Sequence, residues 1–108
     1  MANKPVINII STQCQPQDEE KFNQWYNEVH IPMLLKFKGL KGVTRYKVAG
    51  EPSQPPRFMA VYKFASQKDL EAFQKSPEAA AAIKDMQENW GKRVELTSRT
   101  LCELIKEW

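Results

Sequence analysis

Val6 to Ile10, inside the run KPVINIISTQC, is the stretch that most restricts the fold. It is β-branched and isoleucine-rich, and Pro5 and QPQ bound it, so residues 4–14 predict a first strand. Side chains alternate across a strand, which puts Val6, Asn8 and Ile10 on one face and Ile7, Ile9 and Ser11 on the other. Both faces are largely apolar, as in a central strand covered on both sides. Asn8 is the polar exception, either hydrogen-bonded in the core or turned to a wet cavity.

The next element is a helix. Pro16 with Asp18, Glu19 and Glu20 makes a helix start, because acids in the first turn complement the helix dipole and proline suits the first position. Phe22, Trp25, Tyr26 and Val29 then fall at i, i+3, i+4 and i+7, one apolar stripe. His30, the only histidine, lies at the stripe's edge, roughly 80° around from Phe22 at 100° per residue. Pro32 disfavours helical geometry at Ile31, so the helix is expected to kink or break there and to restart as a short turn over Met33 to Phe37.

Gly39 and Gly42 bracket a turn before a second strand over 43–49, and residues 50–57, GEPSQPPR, read as a loop. FMAVYKFA up to Ala65 is a third strand, antiparallel to the second. Ser66 with Asp69, then Ser76-Pro77-Glu78, start two short helices. Ile83, Met86 and Trp90 are expected as the buried stripe of the second, which Gly91 stops. A last strand runs from Val94 to about Glu107.

The chain of 108 residues has room for one core, so residues 1–108 read as a single domain. Apolar residues at 42% and charged residues at 27% are ordinary for a folded soluble domain. No run approaches the roughly 18 apolar residues that span a bilayer, and no basic, cleavable leader opens the sequence, so a cytoplasmic protein without a membrane partner is expected. Cys14 and Cys102 have no metal-ligand spacing and read as reduced thiols, and no metal site is expected. Lys36, Lys38, Lys41, Arg45 and Lys47 form a basic run, read as a solvated surface or an anion-attracting rim; no nucleic-acid motif accompanies it.

The order strand, helix, strand, strand, helix, strand is the βαββαβ pattern of a ferredoxin-like α+β fold with a four-stranded antiparallel sheet. Its helices cover one sheet face. The other apolar face predicts a second copy packed sheet to sheet, a homodimer in the form of a dimeric α/β barrel.

FNQWYNEVHIPMLLKFKGLKGVTRYKV, followed by the hairpin and the last strand, resembles the EthD-like branch of the dimeric α/β barrel superfamily. Trp25, Tyr26, Glu28, His30 and Pro32 match the family's aromatic, acid and His-x-Pro pattern. The resemblance implies a ferredoxin-like protomer, a homodimer, and a pocket between sheet and first helix into which the histidine projects. The superfamily includes ring-rearranging isomerases, polyketide cyclases, heme-degrading oxygenases and members with no known activity. Its heme-degrading branch uses a first-strand asparagine, a tryptophan and a later iron-ligating histidine. Asn8 and Trp90 stand in two of those places, but no histidine follows His30, so no heme or other cofactor is expected.

Three readings of His30 stay open. It is a proton-transfer catalyst in a cofactor-free isomerase, cyclase or lyase acting on a small organic ligand, or part of a binding site without turnover, or a side chain that locks the helix kink. Under the first two, Trp25 and Tyr26 supply an apolar wall or merely dock the helix, and Asn8, Tyr46 or Tyr62 holds a carbonyl oxygen. Arg45 or Arg99 binds a carboxylate. Asn8 and Tyr46 rank first. A one-residue error in strand register reverses each of these strand assignments.

Overall fold

The β-branched run folds as strand β1 (Val6–Cys14), and it is central, flanked by β3 (Phe58–Phe64) and β4 (Val94–Glu103), both antiparallel to it. With β2 (Leu40–Lys47) outside β3, the sheet has four strands in the order β2-β3-β1-β4. This is the ferredoxin-like α+β arrangement. The computed structural model describes residues 4–51 and 57–108. The tip of the predicted loop, residues 52–56, lies outside the described residues; a bond from Val48 N–H to Arg57 O (2.8 Å) joins its ends.

One face of the sheet carries Val6, Asn8 and Ile10 of β1, in register with Phe64, Tyr62 and Ala60 of β3. The helices cover this face. They are α1 (Glu19–Trp25), a π-helical turn (Tyr26–His30) and α2 (Ile31–Leu34), followed later by α3 (Gln67–Gln74) and α4 (Pro77–Asn89). Phe22 of α1 is wholly buried, with Trp90 and Tyr26 rings edge-on at 5.4 and 5.5 Å. The opposite face carries Ile7, Ile9, Val61 and Met59, half-buried and outside the core cluster. The shortest dimension of the protein, 19 Å, is that of one helix layer on one sheet.

Local chemistry explains the helix ends. Ser66 Oγ accepts from Asp69 N–H at 3.2 Å, and Ser76 Oγ from Ala79 N–H at 3.1 Å, each satisfying a first-turn donor. Gly91, at φ +50°, ends α4 in the left-handed region that glycine enters without a Cβ clash.

Four boundaries or faces differ from the sequence expectation. β2 begins at Leu40, because Leu40 is buried opposite Phe64 and Gly42 forms a register shift rather than a turn. β4 ends at Glu103 because β1 offers no residue before Val6 to pair with; only Leu104 N–H still reaches Pro5 O, at 3.0 Å. Ile83 is 52% exposed, and the buried line of α4 is Ala79, Ala82 and Trp90 with Met86 half-buried. Pro32 does not break the helix. Ile31 before it keeps helical angles, φ −61° and ψ −46°.

Candidate functional site

The helix absorbs Pro32 by widening one turn. Ile31 N–H donates to Tyr26 O, five residues back, and this larger loop eases the clash between a proline ring and the carbonyl one α-turn earlier. The same turn decides which side chains face inward. Phe22, Tyr26, His30 and Leu34 are all buried at a strict spacing of four residues, whereas Val29 is 40% exposed. On an uninterrupted α-helix, a four-residue spacing drifts by about 40° per step. A π-turn takes part of that drift back, so His30 occupies the inward position that the α-helical stripe assigned to Val29.

His30 and Tyr26 open onto a cavity of about 420 Å³ between the sheet and the helices. Ala79 and Ala82 of α4 face it, and their small side chains leave its volume unfilled. Leu34, Ile10, Met86 and Leu96 give it apolar walls; Asn8, Tyr62, Gln74 and Arg99 give it polar points. Both phenols are nearly inaccessible, at 2% for Tyr26 and 4% for Tyr62, and their hydroxyls share a hydrogen bond. Burial raises the pKa of each, so both are neutral at physiological pH.

His30 is stacked on Trp25 with ring centroids 4.8 Å apart, and Tyr26 meets it at an angle at 4.7 Å. Burial pushes its pKa down to about 4; the Arg45 charge pushes the same way and the Asp85 carboxylate opposes both. The imidazole is therefore neutral at pH 7. Its Nδ1 is buried with no hydrogen-bond partner, although buried polar atoms are nearly always paired. An unpaired buried nitrogen carries an uncompensated desolvation cost.

The residues singled out in the sequence separate into three groups. Asn8, Tyr26, His30 and Arg99 line the cavity. Trp25 and Arg45 stand behind it, where the expected contact with a ligand is replaced by contact with the site's own side chains. Trp25 Nε1 donates to Asp85 Oδ2 at 3.0 Å, which holds the ring against His30. Arg45 lies 4.2 Å from the centre of the Tyr26 ring and donates to Asn23 Oδ1 (2.8 Å) and Asn27 Oδ1 (2.9 Å). It has left the predicted basic surface run. Tyr46 falls outside the site altogether: it pairs with Met59, which puts it on the opposite sheet face, 55% exposed. Trp90, the other residue weighed for heme chemistry, is core, packed on Phe22.

Sequence reasoning missed Asp85, the helix-α4 wall and the four-residue line. The last had a visible signal, since Phe22, Tyr26, His30 and Leu34 form it in the sequence itself. Asp85 had none, being 60 residues from Trp25.

A second hollow, of about 330 Å³, lies where β1 meets the first helix, lined by Cys14, Asp18, Glu19, Arg57, Arg93 and Glu95 among others. Most of its charged groups have a partner, Lys92 being the exception among the described residues. Arg57 Nε is 3.1 Å from Glu19 Oε2, Arg93 is 4.0 Å from Asp18, and Gln13 donates to Glu95 at 3.1 Å.

The model of the family described as "Domain of unknown function (DUF4286)" matches residues 6–105. No curated protein matches the chain. Solved structures share its fold at low identity. An EthD family protein from Bacillus halodurans is 20% identical with a TM-score of 0.70, over 94% of this chain and 99% of that one. The hydroxynitrile lyase of Passiflora edulis is 14% identical with a TM-score of 0.75, over 99% of both chains. A dimeric ferredoxin-like protein of unknown function from Thermobifida fusca is 16% identical with a TM-score of 0.56, over 96% of this chain and 92% of that one.

Proposed function

We propose that this chain, which belongs to the DUF4286 family, is a homodimeric small-molecule protein whose cavity holds a small organic ligand against His30 for cofactor-free proton transfer. The observation that carries the reading is that the neutral imidazole of His30 and the Tyr26–Tyr62 hydroxyl pair line one cavity. A volume of about 420 Å³ suits a metabolite-sized ligand.

A neutral imidazole has one N–H and one lone pair, and a phenol pair has one proton between its oxygens and a second free to donate. Such a set takes a proton from one ligand atom and stabilises the oxygen where charge develops, the need shared by isomerases, cyclases and lyases acting next to a carbonyl. Tyr62 or Asn8 then holds the oxygen, and Trp25 behind His30 excludes water. Binding without turnover is the second reading. An imidazole with a pKa near 4 is a base roughly 300-fold weaker than one at 6.5, and this favours a binding role unless the ligand itself lifts the pKa.

The dimer is supported by the uncovered apolar sheet face of Ile7, Ile9, Met59 and Val61, and by the description of the Thermobifida fusca protein as dimeric. Monomeric sedimentation at micromolar concentration overturns it.

Exchange of acidic C–H protons for deuterium, followed by NMR over a panel of ketones and lactones, tests catalysis without knowledge of the substrate. The wild type is expected to accelerate exchange in at least one, and His30→Gln to lose that acceleration while retaining affinity. Retained affinity with no acceleration in either protein assigns the cavity to binding alone.

A further inference from the structure

The cavity's charge balance points to a class of ligand. Its lining includes neither aspartate nor glutamate, and Arg99 is its one side chain with a full charge at neutral pH. Among the described residues no carboxylate lies within ion-pair distance of Arg99, while Arg57 and Arg93 have acids and Arg45 has Asn23 and Asn27. Asp85, the acid whose charge acts on His30, is outside the lining and engaged by Trp25 and Asn89.

Arg99 is also placed at a useful distance from the hydroxyl pair. It stands opposite Ile10 on the helix-covered face, and Tyr62 stands opposite Asn8 on the same face, two strands away. Two inter-strand spacings, about 10 Å, and a two-residue offset along the strands, about 7 Å, separate their backbones by about 12 Å, which the two long side chains shorten, so a ligand of six to eight heavy atoms in length touches both. An arginine without a carboxylate at the rim of an apolar hollow favours an anion, because its planar fork binds a carboxylate through two parallel charge-assisted bonds. The hydroxyl pair at the other end has one proton still free to donate.

We propose that the cavity takes a small organic monoanion, with its carboxylate or equivalent oxyanion on Arg99, its apolar body against Leu96 and Met86, and an acceptor atom turned toward the Tyr26–Tyr62 pair. This rests on the small-molecule reading of the same cavity and adds the charge of what enters it. It also separates Arg99 from Arg45, which is committed to holding Tyr26 and Asn27.

Phenylacetate and phenylacetamide, alike in shape and different in charge, test the inference by NMR titration of the full ¹⁵N-labelled chain at pH 7.5. The acid is expected to shift the amides of Asn8, Tyr62 and Arg99 and to bind on the order of tenfold more tightly than the amide, with the preference shrinking as salt rises. Arg99→Gln is expected to abolish the preference. Lys68→Gln, which removes the same charge from an exposed position on α3, keeps it. Equal affinity for the two compounds, or a preference that survives in R99Q, overturns the anionic class and leaves the cavity reading intact. If neither these compounds nor a series of short monocarboxylates shifts any lining amide, the inference and the cavity reading fall together.

Discussion

The two hollows of this protein are of similar size, about 420 and 330 Å³, and differ in how their polar groups are satisfied. Around the first helix start, Glu19 with Arg57, Asp18 with Arg93 and Glu95 with Gln13 neutralise or bond one another. In the sheet-helix cavity, among the described residues, His30 Nδ1 has no partner and Arg99 has no acid. A paired set leaves little for a ligand to gain; the buried, unpaired His30 Nδ1 costs stability, while Arg99, exposed at the cavity's rim, is held only by solvent. That contrast, more than volume, supports the sheet-helix cavity as the proposed ligand site.

The largest test acts on His30. Its folded pKa, about 4, lies below the ordinary 6.5, so on acidification the unfolded chain takes up the proton first. The stability tied to the neutral imidazole is present in full above pH 6.5 and is lost as pH falls toward 4, by about 3 kcal/mol in all. His30→Leu removes this dependence and leaves the variant more stable than the wild type at pH 4.5 in urea denaturation. A wild-type profile as flat as that of H30L between pH 4 and 6.5 removes the unpaired buried imidazole from the contrast.

A smaller loss is expected in the charged hollow. Glu19→Ala leaves the Arg57 guanidinium, only 8% exposed as a residue, without its carboxylate. The cost is about 1–3 kcal/mol, between the limits for exposed and buried pairs. Thermal or urea unfolding measures it, and phenylacetate-induced shifts at Asn8 and Tyr62 should be unaltered. Loss of those shifts in E19A would join the two hollows into one functional unit and break the distinction.

The last test, on a reaction rate rather than on stability, concerns Cys14, which lines the charged hollow. Burial first, then the negative charges of Glu19 and Asp18, push its thiol up to about 11, against partial relief from Arg57. At pH 8 its alkylation by iodoacetamide is expected to run on the order of a hundredfold slower than that of a cysteine in an unstructured peptide, because only the thiolate reacts. Peptide mass mapping over time measures this rate. A fast Cys14 would reveal a reactive group in the hollow that the paired charges close off.

Much of the fold was legible because it depends on local chemistry. Alternation placed Asn8 and Ile10 on one face of β1 and Ile7 and Ile9 on the other, and the serine caps at 66 and 76 marked both later helices. The site was legible only in part. His30 drew attention as a lone histidine beside a proline, yet an α-helical stripe put Val29 inside and His30 at the edge. Tyr46 ranked above Arg99 in the sequence, and only the pairing of Tyr46 with Met59 and of Arg99 with Ile10 puts Arg99, and not Tyr46, on the cavity side.

By itself, then, the sequence determined the order of elements, the two apolar faces of β1, and a helix rich in aromatics that ends in His-x-Pro. Those features follow from backbone propensity and side-chain period within a few residues. The tertiary structure alone decided the π-turn that rotates His30 inward, the meeting of Tyr26 and Tyr62 across 36 residues, and the small α4 wall that leaves a hollow beside them. Each of these depends on where distant segments pack, and packing is settled by the whole chain's burial, which no short stretch encodes.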